Sequence, residues 1–525
     1  MGRPKSDAAT RTFRTLLEQM IWERRQTLQE FIDYAEVFAR EHSEPGTIGV
    51  RHLQRLIAGR RPNGEPLRPV QPVTARLLER IFDVSIDDLL AEPRPPEVAE
   101  RSRPGHDEVE LAAVLDWLDD RAGWPPKTSR AKVRARLVGL DHGDMLDQGA
   151  RRARVGRAEL ASALTSYYGD SSVYRATYAG RTIVTSIETR SDWLDLNCPL
   201  NGVSDRFTLV DEPYGRDSLG DLTASAAVSR LAELTALGGR FANLPLYRLL
   251  SVDIGREQVH GRVSVVPFAE YALTADLLEL ELVDAVAGRK PLRDKHLPDL
   301  DAVHGLSNRV CAGGVVALCA IARPRDQFHG ARDFALLIQE RSRQVLNATG
   351  RLSVIPKGFH QPLTDFRAET PIGATLRREL EEELFGRSDV DATTGNGRLA
   401  APMHPGRWSE PMRWLSEDPA RVRMECTGFG LNLMSGNYEF ASLVVIDDEE
   451  FWTRYGGQIE ANWEATGLRL YSSLDAELLA DLITLESWSN EGLFALLQGL
   501  RRLSEVGGDR VALPPIRSVT ASGPS

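Results

Sequence analysis

Thr375-Leu376-Arg377-Arg378-Glu379-Leu380-Glu381-Glu382-Glu383-Leu384-Phe385 decides the reading of the C-terminal third of the chain. Ile372, Leu376, Leu380 and Leu384 recur at i+4 steps, which predicts a helix with one apolar stripe, spanning residues 372–385. Glu379, Glu382 and Glu383 stand at i, i+3 and i+4, so three carboxylates share one face beside that stripe. Like charges at this spacing repel by about 0.2–0.5 kcal/mol per pair. The apolar border adds a desolvation cost. A divalent cation with oxygen ligands offsets both, and a metal held this way can clamp a pyrophosphate and activate water. Arg378, at i+4 from Glu382, is placed to orient one carboxylate.

Upstream, Phe334-Ala335-Leu336-Leu337-Ile338-Gln339-Glu340-Arg341-Ser342 reads as a strand. Leu352-Ser353-Val354-Ile355-Pro356-Lys357-Gly358 reads as a strand turning into a loop. With Arg378-Glu379-Leu380-Glu381-Glu382-Glu383, these stretches resemble the Nudix family across residues 310–483. The resemblance implies an α+β domain in which Glu379, Glu382 and Glu383 are magnesium ligands and catalytic carboxylates. It also implies that Lys357, Gly358 and Arg378 meet a nucleotide or nucleotide-sugar. The sequence departs from the family in three places. The step from Gly358 to Arg378 is longer. Asp365 and Glu369 compete for the place of the loop glutamate. Phe385 stands where the family has glycine, with Gly386 one position later.

The N-terminal part reads differently. Phe13, Leu16, Leu17, Met20 and Ile21 mark a first helix. Thr27-Leu28-Gln29-Glu30 is a capping box that opens a second, with Leu28, Phe31, Ile32, Ala35 and Phe38 as its stripe. A third helix spans 50–58 and stops at Gly59, the residue type suited to a left-handed cap. A fourth covers 73–82, and Ser85 caps a fifth at 86–90. The third helix carries Arg51, His52, Gln54 and Arg55, and Arg60 and Arg61 follow it. From 51 to 68 five arginines face one glutamate, Glu65, although residues 1–92 are neutral as a whole. Local positive charge on a helix that also carries base-reading donors suits duplex DNA. The segment resembles the lambda-repressor-like (XRE) helix-turn-helix family at Thr27-Leu28-Gln29-Glu30, His52-Leu53-Gln54-Arg55-Leu56-Ile57-Ala58-Gly59-Arg60-Arg61-Pro62 and Val84-Ser85-Ile86-Asp87-Asp88-Leu89-Leu90. It departs from the family at 39–47, a longer connection than the usual turn. The resemblance implies DNA binding by Arg51, His52, Gln54, Arg55, Arg60 and Arg61, and a homodimer.

Composition bounds the rest. At roughly 100–200 residues per domain, 525 residues predict about three or four domains. A net charge of −11 excludes a protein that coats nucleic acid through bulk charge, while leaving room for a small DNA-reading module. The longest apolar run, residues 310–322, is too short to span a bilayer, so no membrane partner is expected. Cys198, Cys311, Cys319 and Cys426 are too scattered for a disulfide framework. With an N-terminus that lacks an apolar core, they predict a cytoplasmic protein. Ala312-Gly313-Gly314 lacks a P-loop lysine and reads as a turn into a buried strand. His360 and His404 fall in the Nudix-like part, with core or surface roles expected.

The expected fold is therefore multidomain. It has an all-α helix-turn-helix domain at 1–92, a proline-rich linker at 93–105, a helical segment at 106–168, an α/β region at 169–305, an α+β Nudix-like domain with C-terminal helices at 306–505, and a tail at 506–525. Within it, strands are expected at 173–178 and 182–187 around Ala179-Gly180, and at 315–322 and 440–446. Helices are expected at 222–237, 274–286, 476–483 and 491–503. Two functions fit: a DNA-binding transcriptional regulator whose Nudix-like domain senses its ligand with or without turnover, or a Nudix-type pyrophosphohydrolase with an accessory helix-turn-helix module.

Overall fold

The structure is a computed structural model that describes residues 14–23, 28, 31–32, 35, 38–39, 48–59, 70, 72–82, 86–91, 106–169, 173–214, 218–237, 241, 243–325, 330–341, 350–385, 403–459 and 465–518. It divides into two compact units, residues 1–104 and 105–525.

The first unit holds α1 (Leu16–Glu23), α2 (Val50–Ala58), α3 (Pro72–Phe82) and α4 (Ile86–Leu90). Leu17, Ile21, Leu53, Leu56, Leu77, Leu78 and Leu89 close one core, with Phe31 stacked on Phe82 at 5.4 Å. α2 ends as its sequence predicts: Gly59 takes φ 67° and its N–H bonds the Leu56 carbonyl at 3.0 Å. The expected second helix is described only at Leu28, Phe31, Ile32, Ala35, Phe38 and Ala39, of which Phe31, Ile32, Ala35 and Ala39 are buried. Phe13, the Thr27 and Glu30 ends of the capping box, most of residues 39–47, Ser85 and the linker at 93–105 lie outside the described residues.

The second unit opens with four helices: α5 (His106–Ala122), α6 (Thr128–Val138), α7 (His142–Arg154) and α8 (Arg157–Tyr168). β1 (Val173–Tyr178) and β2 (Arg181–Glu188) follow as a hairpin, and its turn residues Ala179 and Gly180 both have positive φ, the geometry that matches strand twist. β3 is the short Cys198–Pro199. A three-stranded sheet comes next, from β4 (Asp205–Leu209), β5 (Pro245–Gly255) and β6 (Gln258–Pro267), in the order β4-β6-β5. α9 (Gly220–Ala236) crosses between β4 and β5, and α10 (Phe268–Ala272), α11 (Asp276–Asp284), α12 (Pro291–His296) and α13 (Leu300–His304) follow β6.

The remaining elements build the large sheet and its covers. They are β7 (Gly313–Arg323), β8 (Asp333–Arg341), β9 (Leu352–Val354), β10 (Lys357–Phe359), α14 (Ile372–Glu383), α15 (Glu410–Glu417), β11 (Val422–Asn432), β12 (Asn437–Ile446), α16 (Glu449–Tyr455), β13 (Ala465–Ser472), α17 (Ala476–Ile483), α18 (Asn490–Val506) and β14 (Arg517–Ser518). The strand order is β13-β8-β7-β12-β11-β2-β1-β14, with β9 and β10 attached to β8 and β7 and β3 to β11. β7 and β12 run parallel and the other neighbours are antiparallel. Both faces of β7 are covered, which is why it reads as an unbroken apolar run. Val315, Ala317, Cys319 and Ile321 join the core of Leu376 and Leu380 on α14. Val316, Leu318, Ala320 and Ala322 join the core of Leu496, Leu497 and Leu500 on α18.

Two expectations change here. Gly313 and Gly314 belong to β7 itself and form no turn: a Cβ at either would stand 1.9 Å from a carbonyl oxygen of a neighbouring strand, Tyr438 for the first and Gly358 for the second. The sheet also draws on both sides of residue 305 and reaches into the stretch beyond 506, since β1 pairs with β14 through Ala176 and Ser518. Among the described residues, no helix is long and apolar enough to cross a membrane.

Candidate functional site

The stretch from β10 to α14 folds as strand, loop and helix. β10 pairs with β7, Lys357 opposite Val316 and Gly358 opposite Val315. The chain then runs through a loop into α14, whose stripe Ile372, Leu376, Leu380 and Leu384 is at most 1% exposed. Glu369 gathers the loop: its carboxylate accepts the N–H of Leu363, of Thr364 at 3.2 Å and of Asp365 at 3.1 Å, and the Thr364 hydroxyl at 3.1 Å. Asp365 instead turns back on Arg367 and Ala368, whose N–H groups hold its carboxyl below the usual range. Of the two candidates for the loop glutamate, Glu369 is therefore the one that organises the loop.

Arg378 ties this loop to the helix. Its Nη1 donates to the Gln361 carbonyl at 3.3 Å, and its Nη2 to the Phe359 carbonyl at 3.3 Å and to Glu379 Oε1 at 2.8 Å. The carboxylates are not displayed to water: Glu379, Glu381, Glu382 and Glu383 are all less than 10% exposed. That rules out the solvated glutamate-rich helix that the bare composition allows. Glu383 accepts the Lys357 N–H at 2.6 Å. Glu381, which carries no role in the sequence reading, accepts both the N–H and the hydroxyl of Ser409 at 2.6 and 2.7 Å. Ser409 in turn caps α15.

The geometry brings Glu379 and Glu383 to adjacent residues of β10, Gly358 and Lys357. Glu379 faces Arg378 and Gly358, while Glu383 faces the start of β10. Among the described residues, no three His, Cys, Asp or Glu side chains are gathered as a metal would need. Lys357 is also committed elsewhere, with its ammonium on Glu491 Oε1 at 2.6 Å. A cavity of about 120 Å³ touches the helix, lined by Glu369, Thr375, Arg377, Arg378 and Trp408 among others. Glu379, Glu382, Glu383, Lys357 and Gly358 are not among its lining residues. His360 is a core residue, bonded to the Tyr438 hydroxyl at 3.0 Å and the Thr370 carbonyl at 2.8 Å, and burial pulls its pKa down to about 3. His404 is exposed and caps a short turn.

Behind Lys357 lies an acidic group drawn from distant segments: Glu279, Glu439 and Glu491. Glu439 on β12 is buried, and desolvation with Glu491 nearby pushes its pKa up to about 8. Desolvation with Asp276 and Glu491 pushes Glu279 up to about 7. Glu491 itself, bonded to Lys357, is held below the usual range.

In the first unit α2 presents a polar face. Gln54 and Arg55 are exposed and His52 is half-buried, while Leu53, Leu56 and Ile57 are buried behind them. Partial burial and the charge of Arg55 lower the pKa of His52, so it is neutral at pH 7. The Arg51 side chain and all of Arg60 and Arg61 lie outside the described residues. Compared with known proteins, the chain matches no family model and no curated protein sequence.

Proposed function

We propose that this chain is a cytoplasmic DNA-binding transcriptional regulator. Residues 1–92 read duplex DNA, and the Nudix-like part of the larger unit senses a nucleotide or nucleotide-sugar. The observation that carries the first half is the outward face of α2, where Gln54 and Arg55 project opposite a buried Leu53-Leu56-Ile57 stripe. Exposed donors at the start and middle of such a helix are what base edges and phosphates require. The second half is supported by the loop that Glu369 and Arg378 organise ahead of α14. Sensing is favoured over hydrolysis because Glu379 and Glu383 already hold protein partners, Arg378 and the Lys357 N–H. As a regulator of this type the chain would pair, so that two α2 helices meet successive major grooves about 34 Å apart.

Gel shifts of the full chain over a salt series, with and without Gln54→Ala and Arg55→Ala together, test the DNA half. Unchanged retention in the double variant would sink it. Incubation with magnesium and nucleoside diphosphate sugars tests the other half. Turnover that disappears in Glu382→Gln would replace sensing by hydrolysis. Sedimentation that shows only monomer, with and without DNA, would remove the pairing.

A further inference from the structure

A second cavity, of about 410 Å³, lies away from α14, between the helices that flank the small sheet and the turn that joins β11 to β12. Four cationic side chains line it: Arg121, Arg248, Lys295 and Arg309. Its two carboxylates are already engaged. Glu270 holds Arg121 in a two-point pair at 2.8 and 3.1 Å, and Glu212 faces Arg262 at 3.3 Å. That leaves Arg248, Lys295 and Arg309, none of which has a carboxylate within ion-pair distance among the described residues.

Two of these three charges are buried. Arg248 is 1% exposed and donates only to neutral oxygens: the Ser264 hydroxyl at 3.1 Å, the Ser307 carbonyl at 3.2 Å and the Glu212 carbonyl at 3.4 Å. Arg309 is 8% exposed. Its Nε and Nη2 share the Val303 carbonyl at 3.1 and 2.8 Å, and its Nη1 has no hydrogen-bond partner among the described residues. Gly436, at φ 78°, makes room for that group, since a Cβ there would stand 2.8 Å from Nη1. The neighbouring Cys311 supplies no counter-charge, because burial raises its pKa and keeps the thiol neutral. His296 adds no positive charge either, being held to about 4 by desolvation and Lys295.

An arginine cannot shed its proton to relieve burial. An uncompensated buried charge costs several kcal/mol even after relaxation. In a chain of net charge −11, three cations without an ion-pair partner among the described residues, two of them buried, converge on one open cavity and need an anion to complete them. Arginine forks match phosphate oxygens two at a time, and a lysine at the mouth adds a point charge. The volume falls in the range of small-molecule sites, about 300–1,000 Å³, and exceeds what a lone phosphate fills. We propose that this cavity binds a phosphorylated small molecule, with Arg248 and Arg309 holding the phosphate from within and Lys295 closing on it from the mouth. The site is separate from the α14 loop, so the proposal stands or falls independently of the Nudix-like reading.

The test is calorimetry of the full chain with inorganic phosphate, pyrophosphate, ADP and citrate, paired with thermal unfolding. Wild type should bind pyrophosphate or ADP and melt higher in its presence. Arg309→Met should weaken that binding about 100-fold. Its melting temperature without ligand should be equal to or above wild type, because an apolar side chain replaces an uncompensated charge. Lys295→Gln changes an exposed side chain and gives a variant that folds whatever becomes of Arg309→Met; it should weaken binding about 10-fold. Absence of binding by all four probes would overturn the proposal. So would citrate binding alone, or phosphate binding that both variants leave unchanged.

Discussion

The carboxylate of Glu379 fills the space that a side chain on residue 358 would need: a Cβ there would stand 2.0 Å from its Oε1. β10 therefore lies against α14 with no gap, and the glycine is required by its neighbour and not by its backbone angles. Gly358→Ala should push Glu379 away from Arg378 and loosen the loop. We expect a loss of about 1–3 kcal/mol, the usual cost of overpacking a closed contact. Urea unfolding of the full chain measures it, and a variant as stable as wild type would show that the helix can slide.

Glu381 should matter for stability and not for any chemistry. Glu381→Ala strips the Ser409 N–H and hydroxyl of their acceptor in a buried place. The expected cost is about 1–3 kcal/mol. Glu381→Gln keeps one acceptor oxygen and should cost less. Equal melting temperatures for all three proteins would contradict the contact.

The stability of the larger unit should fall as pH rises above 6.5. Glu439 and Glu279 have folded pKa values of about 8 and about 7, above the ordinary 4.5. The folded state keeps protons there that the unfolded chain releases, so their contribution is full below about 4.5 and is lost as pH rises through 7–8. His360 and His296 act in the opposite sense. Their folded values of about 3 and about 4 lie below 6.5, so their own contribution falls as pH drops below 6.5 and offsets the gain from the glutamates. Above pH 6.5 the histidines are neutral in both states, and the loss from the glutamates between pH 6.5 and 8 should be of order a few kcal/mol. Glu439→Gln should flatten that limb, which unfolding curves at pH 6.5, 7.2 and 8 would reveal.

Single substitutions on α2 should divide by role. If Gln54 or Arg55 reads a base, replacement by alanine costs about 1–3 kcal/mol and relaxes preference at one position. If Arg55 meets phosphate, the loss is uniform across sequences and the salt dependence becomes shallower by about one charge. Competition gel shifts with a randomised duplex pool separate the two.

Local period and local turn chemistry were readable directly. α2 spans the nine residues its pattern and Gly59 mark out, and the Ala179-Gly180 hairpin lies where the strand signals break. β5 and β6 escaped notice because Leu246, Tyr247, Arg248, Leu249 and Leu250 are all buried, so no alternation shows. β11 was hidden by its own irregularity, with two glycines and a bulge between Cys426 and Gly428. At the α14 site the carboxylate spacing was legible, whereas the direction of each carboxylate was not. Partners such as Ser409 and Lys357 arrive from distant segments, and only packing reveals them. The same holds for the cavity cations Arg248, Lys295 and Arg309, which come from three separate segments.

The join between β2 and β11 sets a schedule for synthesis. Thr189, just past β2, gives its hydroxyl proton to the Phe429 carbonyl, 240 residues further along. At about 5–20 residues per second the ribosome needs roughly 12–50 s to bring that partner out. Throughout that interval the β1–β2 hairpin has a bare edge of unpaired backbone groups, the kind of template that other nascent chains pair with. Rapid translation, or a holdase that shields residues 173–189, should raise the yield of native protein more than any strengthening of the finished core.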